Sequence, residues 1–256
     1  MSEDAGRYPS LEQRVVFITG GGSGIGAGLT RAFHGQGAVV AFVDIDDAAS
    51  QALVEELKAE TGRAPHYYHC DIRDVAALQA VIAEVGQTLG AIRTLVNNAA
   101  NDDRHSWDDI DVEYWDERMS LNLRPMFFAA QAAARQMIEA GGGSVINFGS
   151  ISVRMALGDL SCYMTAKAAV HGLTRSLARD LGPHDIRVNT LVPGSIITER
   201  QLEKWIGPEE EASIQERQSL KFRLEAHHVA PAVLFLASID SQAISGQELA
   251  VDGGWG

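Results

Sequence analysis

Tyr163 and Lys167 are the two residues whose types and spacing most clearly suggest chemistry. They lie four positions apart in a segment whose apolar residues recur with helical spacing, so both side chains share one helix face. A phenol has a pKa of about 10, and a neighbouring ammonium group favours the phenolate. A tyrosine in this pairing can act as a general base near neutral pH. Ser150 precedes the pair at the end of a predicted strand, but a Tyr-x-x-x-Lys pair alone also occurs on ordinary helix surfaces.

A glycine-rich stretch, TGGGSGIG at residues 19–26, lies between an apolar run and a helical pattern. Within it Gly20, Gly24 and Gly26 have the spacing Gly-x-x-x-Gly-x-Gly. Glycines allow a tight turn and a close approach of the backbone to a pyrophosphate, which then binds at the positive N-terminus of the following helix. Because the stretch joins a first strand to a first helix, it predicts a nucleotide site rather than only a flexible turn.

Asp44 ends the second predicted strand and indicates which nucleotide binds. A carboxylate at this place accepts hydrogen bonds from the hydroxyls of the adenosine ribose and repels a 2′-phosphate. The sequence has no Lys or Arg between Arg31 and Lys58 to offset that repulsion. NAD is therefore favoured over NADP. Asp44 could instead cap the next helix, although Asp46 or Asp47 could take that cap.

These residues depend on short apolar strands that alternate with longer helical segments. Strands are predicted at 15–18, 39–43, 66–70, 94–96, 145–146, 187–192 and 248–251. Helical spacing covers 48–61, 75–88, 112–139 and 164–181. Strict alternation predicts right-handed βαβ units. We therefore expect an α/β fold, a single Rossmann-type doubly wound parallel sheet of about seven strands with helices on both faces.

The chain contains no internal repeat and no low-complexity linker, so we predict one dinucleotide-binding catalytic domain over residues 1–256. Residues 195–225 interrupt the βαβ rhythm with a charged segment that contains Gly207 and Pro208. This segment follows a predicted strand at its carboxyl end, where such sheets bind ligands. We predict a substrate lid there, the alternative being a solvated surface loop.

Composition excludes several classes of protein. The 256 residues carry a net charge of −13, which opposes binding to a phosphate backbone, so no nucleic-acid partner is expected. The two cysteines form no framework and suit a reducing compartment. Acidic residues at the start do not fit a signal peptide, and no apolar run approaches the length of a membrane span. The histidines show no metal-ligand spacing. We expect a cytoplasmic protein with no metal and no membrane contact.

Taken together, these residues resemble the short-chain dehydrogenase/reductase family, and the resemblance covers nearly the whole chain. Its motifs occur in order: the glycine motif at 19–26, Asp71, Asn97-Asn98-Ala99, Asn122, Ser150, Tyr163 with Lys167, Pro193-Gly194 with Thr198, and Asp252-Gly253-Gly254. Ala100 stands where the family usually has glycine, which adds one methyl group near the adenine side.

The resemblance implies a nucleotide site along the strand ends. Its residues would be Gly20, Ser23, Gly24, Ile25, Gly26, Asp44, Asp71, Ile72, Asn98, Ala99, Tyr163, Lys167, Pro193, Gly194, Ile196 and Thr198. Asp71 would hold the adenine amino group, and Asn98 with Ala99 would line the adenosine ribose. The Ile196 backbone and Thr198 would orient the nicotinamide carboxamide.

The resemblance also implies a catalytic set. Ser150 would hydrogen-bond the reacting oxygen, Tyr163 would move the proton, and Lys167 would lower the pKa of Tyr163 and bind the nicotinamide ribose. Asn122 would keep a helix irregular and hold a water of a proton relay. Ser150 as a helix cap and Asn122 as a turn former are the structural alternatives.

Within the family, the aldose 1-dehydrogenases share further stretches with this chain, including NDDRH at 101–105, YWDER at 114–118 and EKW at 203–205. A polar run after the fourth strand suits a substrate with many hydroxyl groups, although 102–109 could be only a solvated acidic loop. The expected substrate contacts are Asn101, Asp102, Ser150, Arg154, Tyr163 and Trp205, with Trp205 stacked on a sugar ring.

The expected reaction is therefore oxidation of a pentose or hexose at C1 to the aldonolactone, with the hydride passing to NAD and the proton to Tyr163. Arg104 and Arg154 leave open a carboxylate or phosphate substrate, such as a sugar acid or a 3-oxoacyl thioester, and a polyol is also possible. A different class would be a non-catalytic NAD-binding regulatory protein. The resemblance further implies a homotetramer.

Overall fold

The computed structural model describes residues 6–155 and 157–255. Its strands are β1 Val15–Thr19, β2 Val39–Asp44, β3 His66–His69, β4 Ile92–Asn97, β5 Gly143–Phe148, β6 Ile186–Pro193 and β7 Glu248–Val251. All pairs are parallel and form a 7-stranded sheet in the order β3-β2-β1-β4-β5-β6-β7. The predicted α/β doubly wound fold is confirmed.

Ten helices occur in the described residues: α1 Gly24–Gly35, α2 Asp47–Thr61, α3 Val75–Thr88, α4 Val112–Asn122, α5 Arg124–Glu139, α6 Ser152–Met155, α7 Ser161–Leu181, α8 Glu199–Lys204, α9 Pro208–Arg217 and α10 Ala226–Ala237. Short 3₁₀ turns cover Pro9–Leu11, Trp107–Asp109, Gly182–His184 and Ile239–Ser241. None of these helices has the length and apolar character needed to cross a bilayer.

Helices cover both faces of the sheet, and each face has its own core. One core packs α1 and α10 against β1 through residues such as Phe33, Ile18 and Val233. The other packs α3 and α5 on the opposite face through residues such as Ile82 and Ala133. The strand order reverses between β1 and β4, and this reversal opens a crevice at the carboxyl ends of the strands.

The single helix expected over 112–139 is wrong, because α4 ends at Asn122 and α5 begins at Arg124. Leu123 between them has non-helical dihedral angles. Pro125 follows in the first turn of α5, and proline has no N–H with which to continue a helix from the preceding turn. The break leaves the Asn122 side chain at the end of α4, facing the loop after β4.

Residues 195–225 are not a solvated loop, because they form α8 and α9 with a small apolar cluster of their own. Ile197, Ile206 and Ile214 are buried there, with Trp205 and Trp255 packed against them. The residues after β7 also pair with this segment, since the backbone N–H groups of Ser219 and Leu220 donate to the carbonyls of Gly254 and Gly253. The segment is thereby fixed at the carboxyl edge of the sheet.

Candidate active site

A cleft of about 1160 Å³ runs along the crevice between β1 and β4. Its lining includes every residue expected to bind the nucleotide except Gly194. Gly194 has a different role, because a Cβ atom there would lie 2.6 Å from the Cα atom of Asp252. It therefore permits close packing of the β6 end against the chain after β7.

The glycine-rich turn is shaped as a phosphate cradle. Gly20 has a φ of 66°, a backbone region that favours glycine. A Cβ atom on Gly26 would lie 1.7 Å from the carbonyl oxygen of Gly20, so only glycine allows α1 to approach β1 so closely. Ser23 at the N-cap of α1 makes no side-chain capping bond. The first N–H groups of the helix are left to a phosphate, so the turn fits a dinucleotide.

Asp44 is held rigidly at the edge of the cleft by three backbone donors. Its Oδ2 accepts from Gly22 N at 2.9 Å, and its Oδ1 accepts from Ile45 N at 2.8 Å and Asp46 N at 3.1 Å. The alternative in which Asp44 caps the next helix is wrong, because Asp46 caps α2 by accepting from Ala49 N. Asp44 is thus free to present its charge to a ribose.

Two residues expected at the adenosine are already engaged within the protein. Asp71 accepts from the guanidinium group of Arg73, which holds the pKa of the Asp71 carboxyl below its usual value. Asn98 Nδ2 donates to the carbonyls of Thr19 and Gly20 at 3.1 and 2.9 Å. Asn98 therefore braces the glycine turn from the neighbouring strand end, a positioning role that the sequence alone did not indicate.

The catalytic candidates come from three places in the fold: helix α7, the loop after β5, and the end of α4, which holds Asn122. Tyr163 and Lys167 share one face of α7, and Lys167 Nζ lies 5.7 Å from the centroid of the Tyr163 ring. Lys167 is buried and donates to the Phe148 carbonyl at 2.7 Å. Ser150, just beyond β5, lies close enough to Tyr163 to lower the pKa of that phenol, and its hydroxyl group shares a hydrogen bond of 2.8 Å with the Ser152 hydroxyl. Ser150 also accepts from Ser152 N at 3.2 Å, so it supports the start of α6 as well.

Burial opposes the charged form of both members of the pair. It raises the pKa of Tyr163 well above its usual value, and the Asp102 carboxylate adds to this effect. Burial lowers the pKa of Lys167 to about 7, against the smaller opposing influence of Asp102. A phenol and an amine whose pKa values are both displaced in one cleft mark a functional site.

The buried ammonium group of Lys167 predicts a pH-dependent stability. The folded pKa of Lys167 is about 7, whereas a free lysine has a pKa of about 10.4. Between these values the unfolded chain binds the extra proton, so the free energy of unfolding rises with pH over that interval. Chemical denaturation at about pH 7 and about pH 9.5 should show a larger rise for the wild type than for Lys167→Met. An equal rise in both proteins would contradict the lowered pKa.

The Asn122 side chain at the end of α4 fixes the loop that follows β4. Its Oδ1 accepts from Asn101 N at 2.8 Å, and its Nδ2 donates to the Asn101 carbonyl at 3.1 Å. Both hydrogen bonds join the buried amide to the backbone N–H and carbonyl groups of Asn101, the same two groups that pair between neighbouring strands of a sheet. The irregular helix expected at Asn122 is present, and the amide also positions the loop that contains Asp102.

That loop is joined to α8 by a polar network that sequence reasoning missed. Gln201 Nε2 donates to Asp102 Oδ2 at 2.7 Å, and Lys204 Nζ donates to Asp103 Oδ1 at 2.9 Å. Arg200 Nη2 donates to Asp103 Oδ1 at 2.7 Å. The charged character of 199–204 was the available signal, but no spacing rule identifies which loop such residues will meet.

Arg154 and Trp205 were expected to contact substrate, and in the structure both have other contacts within the protein. Neither lines the cleft. Arg154 turns toward the sheet edge, where its Nη2 lies 3.5 Å from Glu248 Oε2. Trp205 packs in the apolar cluster under α8, with the Arg104 guanidinium 5.1 Å from its ring centroid. The indole thus packs against the apolar cluster of α8 and α9, and contact of Arg154 or Trp205 with a substrate stays a prediction.

Comparison with known proteins places the chain in a family. A family model described as enoyl-(acyl carrier protein) reductase matches residues 20–256. The chain belongs to the short-chain dehydrogenase/reductase family, whose members are oxidoreductases that use NAD(P). It is 53% identical to D-xylose 1-dehydrogenase from Caulobacter vibrioides over 248 residues, which cover 97% of this chain and 98% of the relative.

Two further relatives extend the comparison. A probable galactose dehydrogenase from Rhizobium meliloti is 48% identical over 254 residues, which cover 99% of both chains. The crystal structure of a gluconate 5-dehydrogenase from Burkholderia cenocepacia, in complex with NADP and tartrate, has a TM-score of 0.89 and 31% identity. That match covers 96% of this chain and 97% of the other.

Proposed function

We propose that this protein oxidises an aldose at C1 to the aldonolactone with NAD as the hydride acceptor. The observation that carries the proposal is the near full-length identity of 53% and 48% to two sugar dehydrogenases. The cleft supports it, because the Tyr163 phenol and the Lys167 amine line it beside polar side chains of the Asp102 loop and α8, and the Ser150 hydroxyl lies close to Tyr163. The sugar ring would lie between Tyr163 and the loop that contains Asp102.

In this mechanism the protein binds and deprotonates the anomeric hydroxyl group. Ser150 donates a hydrogen bond to the anomeric oxygen, and Tyr163 as phenolate takes its proton. The Lys167 amine lies 5.7 Å from the centroid of the Tyr163 ring, and its ammonium form would favour the phenolate. The nicotinamide, when bound, accepts the hydride from C1. Loss of the O–H proton and the C1 hydride leaves the lactone carbonyl, so the reaction requires no metal.

The preference for NAD over NADP rests on Asp44. The residues that would hold the adenosine phosphates and ribose are the glycine turn, Ser23 and Asp44, and Asp44 brings a fixed negative charge. A 2′-phosphate at about 4 Å from that carboxylate would be repelled by about 1 to 4 kcal/mol. Arg31, the nearby cation in the cleft lining, is paired with Glu56 at 2.7 Å and does not offset the repulsion.

Asp44→Asn should shift the coenzyme preference toward NADP. The change removes the charge and keeps an oxygen for the N–H groups of Ile45 and Asp46. We expect the ratio of kcat/KM for NADP to that for NAD to rise about 10- to 100-fold, measured with one sugar under constant conditions. Asp74→Asn, at the N-cap of α3 and away from the cleft, is the matched control. An unchanged ratio in Asp44→Asn would remove the basis for NAD preference.

A neutral sugar fits the charges of the site better than an acid does. The two cations that left a carboxylate or phosphate substrate open are committed elsewhere, Arg154 at Glu248 and Arg104 over Trp205. A panel of aldoses, sugar acids, polyols and a 3-oxoacyl thioester tests this point. NADH should form with one or two aldoses and not with the other classes; turnover confined to a sugar acid would overturn the proposal.

We further propose that four copies assemble. An apolar groove of about 320 Å³ lies across α5 and α7, lined by Leu123, Phe127, Phe128, Ala169, Leu173 and the stem of Arg124. Phe127 is 39% exposed there and Ile138, further along α5, is 41% exposed. Large apolar side chains exposed along one helix are typical of a subunit interface. The number of copies follows from family resemblance.

A further inference from the structure

Arg200 lies where the lid segment crosses the cleft. It is the second residue of α8, and the Thr198 side chain caps that helix by accepting from Gln201 N. Arg200 lines the cleft together with Asp102, Tyr163 and Lys167. Its cation lies near enough to Tyr163 to lower the pKa of that phenol, opposing the larger effect of burial. Arg200 thus belongs to the space in which a substrate would react.

The guanidinium group of Arg200 is only partly used by the protein. Its Nη2 serves three oxygens: Asp103 Oδ1 at 2.7 Å, Asn101 Oδ1 at 3.2 Å and Asp102 Oδ1 at 3.6 Å. Its Nε is buried and has no hydrogen-bond partner among the described residues. A buried donor without an acceptor costs about 1 to 3 kcal/mol. The Arg200 side chain is nevertheless 37% exposed, and its Nη1 makes no hydrogen bond with the described residues, so Nη1 is the donor available to a substrate oxygen in the cleft.

Asp102 provides an acceptor beside that donor. Its Oδ2 accepts from Gln201 Nε2, and its Oδ1 lies 3.6 Å from Arg200 Nη2. The backbone of the preceding Asn101 is fixed by the buried Asn122 amide, so the carboxylate extends from a rigid position. A guanidinium donor and a carboxylate acceptor therefore lie next to each other on the wall of the cleft.

A sugar presents the complementary pattern. Each hydroxyl group can donate one hydrogen bond and accept others. Two adjacent hydroxyl groups can therefore donate one hydrogen bond to a carboxylate and accept one from a guanidinium group. We infer that Arg200, acting with Asp102, is a specificity-determining residue that binds a pair of adjacent ring hydroxyls of the aldose. The inference rests on the proposed function and names the residues that would select the sugar.

The charges of the network favour a neutral ligand. Asp102 and Asp103 carry two negative charges, and Arg200 and Lys204 carry two positive charges, all within the contacts already described. A carboxylate or phosphate entering this network would meet two fixed carboxylates without a surplus cation. Hydroxyl groups can enter without changing the charge balance, because they exchange hydrogen bonds and add no charge.

The test compares Arg200→Met with Lys204→Met. Both changes remove a cation that α8 pairs with Asp103, but Lys204 does not line the cleft. We expect Arg200→Met to raise KM for the sugar at least tenfold, as loss of a charged hydrogen bond predicts, with KM for NAD and Tm nearly unchanged. Lys204→Met should change KM for the sugar less than about twofold. Arg200→Lys should recover part of the loss.

Deoxy-sugars identify which hydroxyl groups of the substrate Arg200 binds. A sugar lacking a hydroxyl bound by Arg200 should be a poorer substrate for the wild type, and Arg200→Met should then cause little further loss with that sugar. If Arg200→Met and Lys204→Met weaken sugar binding equally, Arg200 only fastens the lid and the inference fails while the function stands. If the wild type turns over no aldose, the proposed function fails and the inference fails with it.

Discussion

Tyr163→Phe should abolish nearly all turnover while leaving the fold intact. The substitution removes only the phenolic oxygen of a residue that lies close to Ser150 and shares a face of α7 with Lys167. General acid–base catalysis contributes about 10²- to 10⁴-fold to rate. We therefore expect kcat to fall by about 10³-fold or more, measured as NADH formation at saturating sugar and NAD.

Two controls make this result specific to the proton transfer. Tyr68→Phe removes a phenolic oxygen from a residue on β3 that does not line the cleft, so this change should leave kcat unchanged. Binding of NADH to Tyr163→Phe, followed by fluorescence, should remain within a few-fold of the wild type because the glycine turn and Asp44 are untouched. If Tyr163→Phe kept most of its activity, another group would have to take the proton, and the proposed mechanism would be wrong.

Gly26→Ala should remove nucleotide binding. The added methyl carbon would stand 1.7 Å from the Gly20 carbonyl oxygen and 2.8 Å from Asn98 Nδ2. Both neighbours belong to the braced turn itself, so α1 must move away from β1. Overpacking of this kind costs about 1 to 3 kcal/mol or more, and a displacement of about 1 Å at a binding site can cost about 100-fold.

We expect Gly26→Ala to lower the free energy of unfolding and to weaken NADH binding by about 100-fold or more, measured by denaturation and by fluorescence titration. Gly182→Ala is the matched control. Gly182 has α-helical dihedral angles, and a Cβ atom there would have no neighbour within 4 Å. That change should leave binding unaltered and stability equal or slightly higher. Normal NADH affinity in Gly26→Ala would contradict the assignment of the turn as the phosphate cradle.

Much of the fold followed from local signals that a short sequence window contains. The β-branched runs fixed the strand centres, and the ends of α3 and β7 agree with the predicted limits. The break between α4 and α5 could not be predicted from apolar spacing, because Met119, Leu123 and Met126 continue the helical spacing of four and three residues across it. The break has two causes. Pro125 is a local one, and the hydrogen bond that Asn122 Oδ1 accepts from Asn101 N is a tertiary one.

The candidate site divides in the same way. Tyr163 and Lys167 lie four residues apart on one helix, so their proximity follows from this spacing. Arg200 meets Asn101 and Asp103 only because the fold brings residues 195–225 against the loop after β4, a relation between distant segments that a single sequence does not contain. The packing of Trp205 with Trp255 was not predictable for the same reason, since Trp255 comes from the chain after β7.

In the proposed reaction the hydride leaves C1 of an aldose. The most direct measurement uses the best sugar substrate carrying deuterium at C1, with NAD, and follows both products by NMR. We expect deuterium to appear in the reduced nicotinamide and the sugar product to be an aldonolactone without deuterium. The value of kcat/KM should fall relative to the protonated sugar wherever hydride transfer limits the rate. Deuterium retained in the oxidised sugar would place the oxidation at another carbon and contradict the account.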